Sequence, residues 1–539
     1  MAKAQKNFLN GAMILTVSNI LVKIIGAIYK IPLANQIHTV GMNYYNDAYQ
    51  IYALLYVLST AGVPVAIAKM VSEANVDRRY REPKKILKLS TGIFASVGLV
   101  LAALMILFTP TISRWLSNDT ANYCISLIAP AIFLVTISAT IKGYFQGYKC
   151  MTPSAVFQVI EALFKLGGLG LIAVMVARGI TDPLILACGG VLGVTFGSFA
   201  ATVFMVIRYL CEKDLGRDLQ DAEPSRSNRS VARTIVTLAI PISLSSSVMS
   251  ITSTLDMIFV KRSLTHFVQR TVTDAEKVVD TVKEIYGAYV GATGSLFNLP
   301  QALTIGISVS VLPFLTTAFA EKRKEDAFRN MRSSSKLVAL IGMPCALGMS
   351  VMSEPIVKLL YEEGYWSVGI PTLQVLSLSV FFVSFVSLSG IFLQAVGKVK
   401  TSLLTMGVGA VMKLAVNIFA VKYIGIMGAP LGTFACYGSI TLLNILFIRK
   451  YIQFRFPLVE VFLKPLLCSA LCCGAAYGVW ALLCAVGLSV KLALFPALAV
   501  AVIAYALCLW LFKVLSKDDL VFLPGKLHGV LQKAGWIHE

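Results

Sequence analysis

Six lysines fall inside stretches apolar enough to cross a bilayer: Lys23, Lys30, Lys69, Lys142, Lys165 and Lys413. A charge at bilayer depth costs roughly 2.5–3.5 kcal/mol even on insertion scales, so it faces a cavity or a partner. Lys23, Lys165 and Lys413 lie deepest, on the order of 15–20 Å along helices that rise about 1.5 Å per residue. Helical spacing puts Asn19, Lys23, Gly26 and Lys30 on one stripe, Gln158, Glu161 and Lys165 on a second, and Lys413 with Asn417 on a third. Polar stripes of this kind are expected to line one central cavity. Lys23 and Lys413 have no acid at helical spacing, which favours an anionic substrate whose phosphate or pyrophosphate oxygens supply the counter-charge. Glu161 precedes Lys165 by one turn; it either neutralises that lysine in a packed interior or helps couple a conformational change. Lys30 and Asp47 form either an ion pair closing the outer mouth or a solvated rim. Asp256, with Lys261 and Arg262 nearby, is the main remaining acid and takes either a gating or a structural role. Lys69 and Lys142, near helix ends, are expected to reach toward the headgroups.

Other chemistries find little support. The eleven cysteines lie mostly in apolar runs such as "LLCSALCCGAAYG", and the four histidines are scattered, which argues against a disulfide framework or a metal site. No P-loop, nucleophile elbow or Gly-rich nucleotide fingerprint falls in an aqueous segment. The expectation is therefore a non-enzyme without cofactor. Transport would draw on an ion gradient, the membrane potential or substrate flow.

The elements that must position these residues are membrane helices. The chain has 539 residues, 57% hydrophobic and 14% charged, well below the roughly one quarter charged of a soluble protein. Windows of about 20 apolar residues predict fourteen spans, at 10–35, 44–70, 87–109, 122–145, 154–177, 183–208, 232–260, 285–315, 336–353, 369–394, 400–422, 425–448, 459–485 and 490–515. The basic, apolar N-terminus carries Asn19 and Lys23 and shows no small-x-small cleavage site, so it reads as a retained first span rather than a signal peptide. Roughly three times as many loop Lys and Arg fall on the N-terminal side as on the other, which predicts a multi-pass protein of the cytoplasmic membrane with both termini in the cytoplasm. The net charge of +20 is then largely topological, and nucleic acid is not an expected partner. The basic runs "DRRYREPKK" and "EKRKEDAFRNMR" can bind anionic lipid. The segment 261–284 reads as a short amphipathic surface helix.

The chain also repeats itself. "GYFQGYKCMTP" resembles "GIFLQAVGKVKT", aligning Gln146 with Gln394, and the same offset aligns Lys165 with Lys413. Thr60 and Gly62 in "STAGVP" align in the same way with Thr304 and Gly306. The expected fold is all-α and polytopic, with two six-helix lobes related by a pseudo-twofold along the membrane normal and two extra C-terminal helices. The domains are an N-lobe (1–210), a cytoplasmic linker (211–231), a C-lobe (232–450), a final helix pair (456–515) and a cytoplasmic tail (516–539).

The "GYFQGYKCMTP", "AVFQVIEALFK" and "TAGVPVAIAKMVSEAN" segments resemble a branch of the multidrug/oligosaccharidyl-lipid/polysaccharide (MOP) exporter superfamily. That branch contains stage V sporulation protein B and the MurJ-type lipid II flippases of Gram-positive bacteria. The resemblance implies outward movement of undecaprenyl-pyrophosphate-linked peptidoglycan precursor by alternating access, with roles in wall or spore-cortex assembly. It implies that "VKIIG" stands where the family has Ser-Arg-x-x-Gly, so Lys23 replaces a cavity arginine, and that "NDAYQ" supplies the acidic start of helix two, Asp47. Further family arginines in helices two and eight are absent from "LSTAGVP" and "GATGSLFNLP", and lysine lacks the bidentate fork of arginine. The last two helices would, by resemblance, form the groove for the polyprenyl tail. The implied partners are a lipid-linked anionic glycan, membrane lipids and the wall-synthesis machinery, with the protein itself a monomer. Rival readings are an exporter of another lipid-linked oligosaccharide, a drug or cation antiporter, and a non-transporting scaffold.

Overall fold

The structure, a computed structural model, describes residues 2–212 and 226–514. The expected linker is therefore described only at its ends, and the tail at 516–539 lies outside the described residues. Every regular element among them is helical: α1 Ala2–Thr60, α2 Val63–Val76, α3 Glu82–Leu107, α4 Thr109–Trp115, α5 Asn122–Gly147, α6 Thr152–Ala177, α7 Pro183–Cys211, α8 Asn228–Val268, α9 Ala275–Ala320, α10 Lys324–Val351, α11 Ser353–Leu360, α12 Trp366–Ala395, α13 Val399–Ile424, α14 Gly428–Tyr451, α15 Lys464–Ala485 and α16 Val490–Leu511. Twelve segments of the described chain are long and apolar enough to cross a membrane. Two of them, Leu21–Val76 and Val399–Tyr451, run to 56 and 53 residues and are interrupted. The first turns sharply at His38 (φ 58°, ψ −175°), and the second at Gly425, whose φ of 64° suits a residue without a Cβ.

The chain packs as two compact units, Met1–Arg262 with Asp274–Gly287, and Ser263–Thr273 with Ala288–Glu539. Most of α8, expected at the start of the C-lobe, thus packs with the first unit. The segment 261–284 is not a separate surface helix. α8 continues to Val268 and α9 begins at Ala275, and Lys261, Val268, Val278 and Val282 are buried. Its helical spacing of valines belongs to the ends of two long helices.

Within the first unit, α6 and α7 approach through glycine. A Cβ on Gly193 would lie 2.6 Å from Gly168 Cα, and one on Gly197 would lie 2.6 Å from the Glu161 carbonyl. Small residues are what allow membrane helices to close up when lipid offers no hydrophobic drive between them. That approach places Glu161 and Lys165 directly against α7. α2 and α5 pack around Ile67, Met70, Val71, Tyr144 and Phe145.

The span expected at 44–70 is discontinuous. α1 ends at Thr60 and α2 begins at Val63. Pro64 has no N–H to return to the Thr60 carbonyl, which weakens the helix here. Gly62 N–H instead donates to Ser243 Oγ of α8 at 3.0 Å. A Cβ on Gly62 would stand 2.1 Å from the Ala239 carbonyl, so only glycine fits.

In the second unit, Thr405 Oγ1 donates to Asn444 Oδ1 (2.8 Å), and Asn444 Nδ2 donates to Ser389 Oγ (2.9 Å), tying α13, α14 and α12 together. α15 and α16 pack on α10 and α11 through Met352, Trp480, Ala493, Leu494 and Ala497, and Tyr505 donates to the Leu340 carbonyl at 2.7 Å.

If α8 holds the break, Ser243→Ala orphans a buried N–H and should cost about 1–3 kcal/mol. Gly62→Val adds overpacking of about 1–3 kcal/mol and should lower the detergent-solubilised melting temperature further. Unchanged melting for both variants would show that the break is held elsewhere.

Candidate functional site

The most buried ionic contact of the first unit, among the described residues, joins α1 to α8. Asp47 and Lys261 are both buried, and Lys261 Nζ donates to Asp47 Oδ1 at 2.5 Å and Oδ2 at 2.6 Å. Asn118 Nδ2, from the turn after α4, donates to the same Oδ2 at 2.7 Å. The ring of Tyr286 lies 4.8 Å from Lys261 Nζ. Asp47 is thus fully enclosed by donors, and Lys30 is not among them. The expected Lys30–Asp47 pair is replaced because Asp47 faces α8, while Lys30 lies half-buried on the earlier limb of α1, before the turn at His38.

A second ionic contact lies on α6. Lys165 Nζ stands 3.7 Å from Glu161 Oε1, with the two side chains 22% and 13% exposed. Ser198 of α7 donates to Glu161 Oε1 at 3.4 Å, and Tyr52 OH is 3.5 Å from Ser198 Oγ. Lys142 also acts electrostatically on Glu161, and its Nζ lies 3.3 Å from the centroid of the Phe157 ring. It therefore turns inward onto an aromatic face rather than toward the headgroups.

The remaining candidate residues fall as follows. Asn19 and Lys23 are exposed on α1; Asp256 on α8 and Lys413 on α13 are half-buried; Asn417 is buried. Asn417 packs against α14 so closely that a Cβ on Gly432 would lie 1.8 Å from its Oδ1. Glu161 and Lys165 are brought together as their spacing predicted. Lys413 belongs to the other unit and is described with it. No group of three or more His, Cys, Asp or Glu side chains converges on a metal position among the described residues.

A third network closes the loop between α2 and α3. Glu82 is fully buried and accepts from Arg79 Nη1 (2.8 Å), Arg226 Nε (2.8 Å) and the Arg226 backbone N–H (3.1 Å), while Lys85 Nζ caps the Arg226 carbonyl. Burial works against the Arg79 charge, but Asp77 and Glu82 outweigh it and hold that guanidinium above its ordinary range. Part of the "DRRYREPKK" charge is therefore spent inside the protein and is not offered to lipid.

Residues 8–319, more than half of the chain, match the family described as "Polysaccharide biosynthesis protein". The chain belongs to that family. Residues 286–419 also match the MatE family. Stage V sporulation protein B of Bacillus subtilis (strain 168) is 22% identical over 525 residues, covering 97% of this chain and 98% of its own. Lipid II flippase MurJ of the same organism is 21% identical over 468 residues, covering 84% of each. The solved structure titled "Lipid II flippase MurJ, inward closed conformation" superposes with a TM-score of 0.71 at 16% identity, covering 93% of this chain and 99% of that one. The chain thus shares the fold of that flippase structure and is similar along most of its length to stage V sporulation protein B and MurJ.

Removing one partner of a buried ion pair strands the other and costs about 3–5 kcal/mol, whereas replacing both with neutral groups is far milder. Asp47→Asn and Lys261→Met should each lower the melting temperature sharply, and the double variant should recover most of the loss. Additive losses in that cycle would mean that the two side chains are not energetically coupled.

Proposed function

We propose that this protein is a flippase that moves a lipid-linked, pyrophosphate-bearing glycan precursor from the inner to the outer leaflet by alternating access. Membership of the polysaccharide biosynthesis family, and relatives named as a flippase and a sporulation protein over most of their length, support this reading. The observation that carries it on chemical grounds is the set of lysines within apolar helices, which leaves cationic groups where a pyrophosphate would pass. Lys23 and Lys413, with Asn19 and Asn417, are the proposed anion-attracting groups. Lys165 is a weaker candidate because Glu161 already neutralises it.

The finer expectations extend the same reading. Undecaprenyl-linked peptidoglycan precursor is the proposed cargo, and both termini are proposed to face the cytoplasm of a bacterial cell membrane. Fourteen crossings are proposed for the twelve apolar segments. A 56-residue helical path is about 84 Å long at 1.5 Å per residue, against a hydrocarbon core of about 30 Å, so the two interrupted segments each cross twice. The final pair α15–α16 is proposed to guide the polyprenyl chain. The protein is proposed to act as a monomer with no catalytic step, driven by an ion gradient or the membrane potential.

Complementation of a strain depleted of its lipid-linked precursor flippase tests the proposal. Wild-type protein should restore growth, and Lys23→Ala and Lys413→Ala should each restore it at least tenfold less well in plating efficiency. Full rescue by both variants would sink the cationic mechanism.

A further inference from the structure

The segment of α1 beyond His38 carries a row of tyrosines that the ionic chemistry leaves unused. Tyr45, Tyr49, Tyr52 and Tyr56 follow at helical spacing, with successive ring centroids 5.8, 6.0 and 5.8 Å apart. Tyr45 and Tyr49 are stacked within 10° of parallel, and Tyr29 extends the row at 6.3 Å from Tyr45. The row faces α7, since Tyr52 reaches Ser198 and Tyr29 donates to the Gly190 carbonyl at 3.0 Å. Tyr45 and Tyr52 are closed off, whereas Tyr49 and Tyr56 remain half-buried. Both rings flank that of Tyr52, whose hydroxyl lies 3.5 Å from Ser198 Oγ, and Ser198 donates to Glu161, the partner of Lys165.

The surface so formed has two accessible aromatic rings, a carboxylate, an ammonium and a hydroxyl, and its one acid and one base cancel. An anion gains little from a neutral surface, but a pyranose ring matches it. The C–H face of a sugar stacks on an aromatic ring, and vicinal hydroxyls donate to a carboxylate and accept from an ammonium. We propose that Tyr49, Tyr56, Glu161 and Lys165 form a sugar subsite for the glycan of the transported lipid, distinct from the groups that attract its pyrophosphate. This inference rests on the flippase reading and adds the recognition of the carbohydrate.

The test uses full-length protein in nanodiscs and two probes: undecaprenyl pyrophosphate, and the same lipid carrying an N-acetylhexosamine disaccharide. Wild-type protein should bind the glycosylated lipid more tightly. Tyr49→Ala and Tyr56→Ala should each weaken that binding about tenfold and leave undecaprenyl pyrophosphate affinity unchanged. Tyr49→Phe and Tyr56→Phe keep the ring and should stay within about twofold of wild type. Equal loss for both probes, no loss for either, or no gain from the disaccharide in the wild type would overturn the subsite. Wild-type protein that binds neither lipid would overturn the flippase reading, and the subsite with it.

Discussion

An ion in the bilayer core has no water to turn to, so every charged side chain there must be met by the protein itself or by what the protein carries. The first unit meets this requirement with partners near and far in sequence. Asp47 is met by Lys261 and Asn118, and Glu82 by Arg79 and Arg226. Two of these contacts, Asp47–Lys261 and Glu82–Arg226, tie a segment near the start of the chain to one at or beyond residue 226. They help explain why most of α8 packs with the first unit although it follows the linker in sequence. Glycine provides the geometry: Gly62 lets α8 reach the broken end of α1, and Gly168, Gly193 and Gly197 let α7 reach the α6 pair.

Much of this architecture was legible from local pattern, and the exceptions share a cause. The all-helical fold and the apolar segments follow from windows of about 20 residues, and the Glu161–Lys165 pair from a spacing of one helical turn. Helical periodicity put Asn417 on a stripe expected to line a cavity, whereas its side chain is buried against Gly432 of α14. The partner of Asp47 was not legible, because a sequence without aligned relatives shows only neighbours along the chain, and Lys261 lies 214 residues away. Lys30 offers itself only because it and Asp47 lie toward the same end of two successive spans. The position of Lys142 near a helix end suggests an exit to the headgroups, while Phe157, from the next helix, offers its ring. The tyrosine row was visible as spacing, yet rows of aromatic residues are commonly core. Its half-buried members are distinguished only by the side chains of α6 and α7.

The pairing states of the lysines divide the work among them. Lys165 sits 3.7 Å from a carboxylate, and Lys261 is enclosed with one, so each presents little net charge to a passing anion. Lys23, by contrast, is exposed on α1 and has no acid at helical spacing. The α6 pair can stay in place without the anion, because its own charges already balance.

The stretch of α1 from His38 to Thr60 binds these features together mechanically. It is bounded by a turn at one end and a break at the other, with an uninterrupted helix of about 33 Å between them. Asp47, Tyr45, Tyr49, Tyr52 and Tyr56 all project from it. This stretch is fixed to α8 at two points, by the buried Asp47–Lys261 pair along its length and by the Gly62–Ser243 hydrogen bond just past its end.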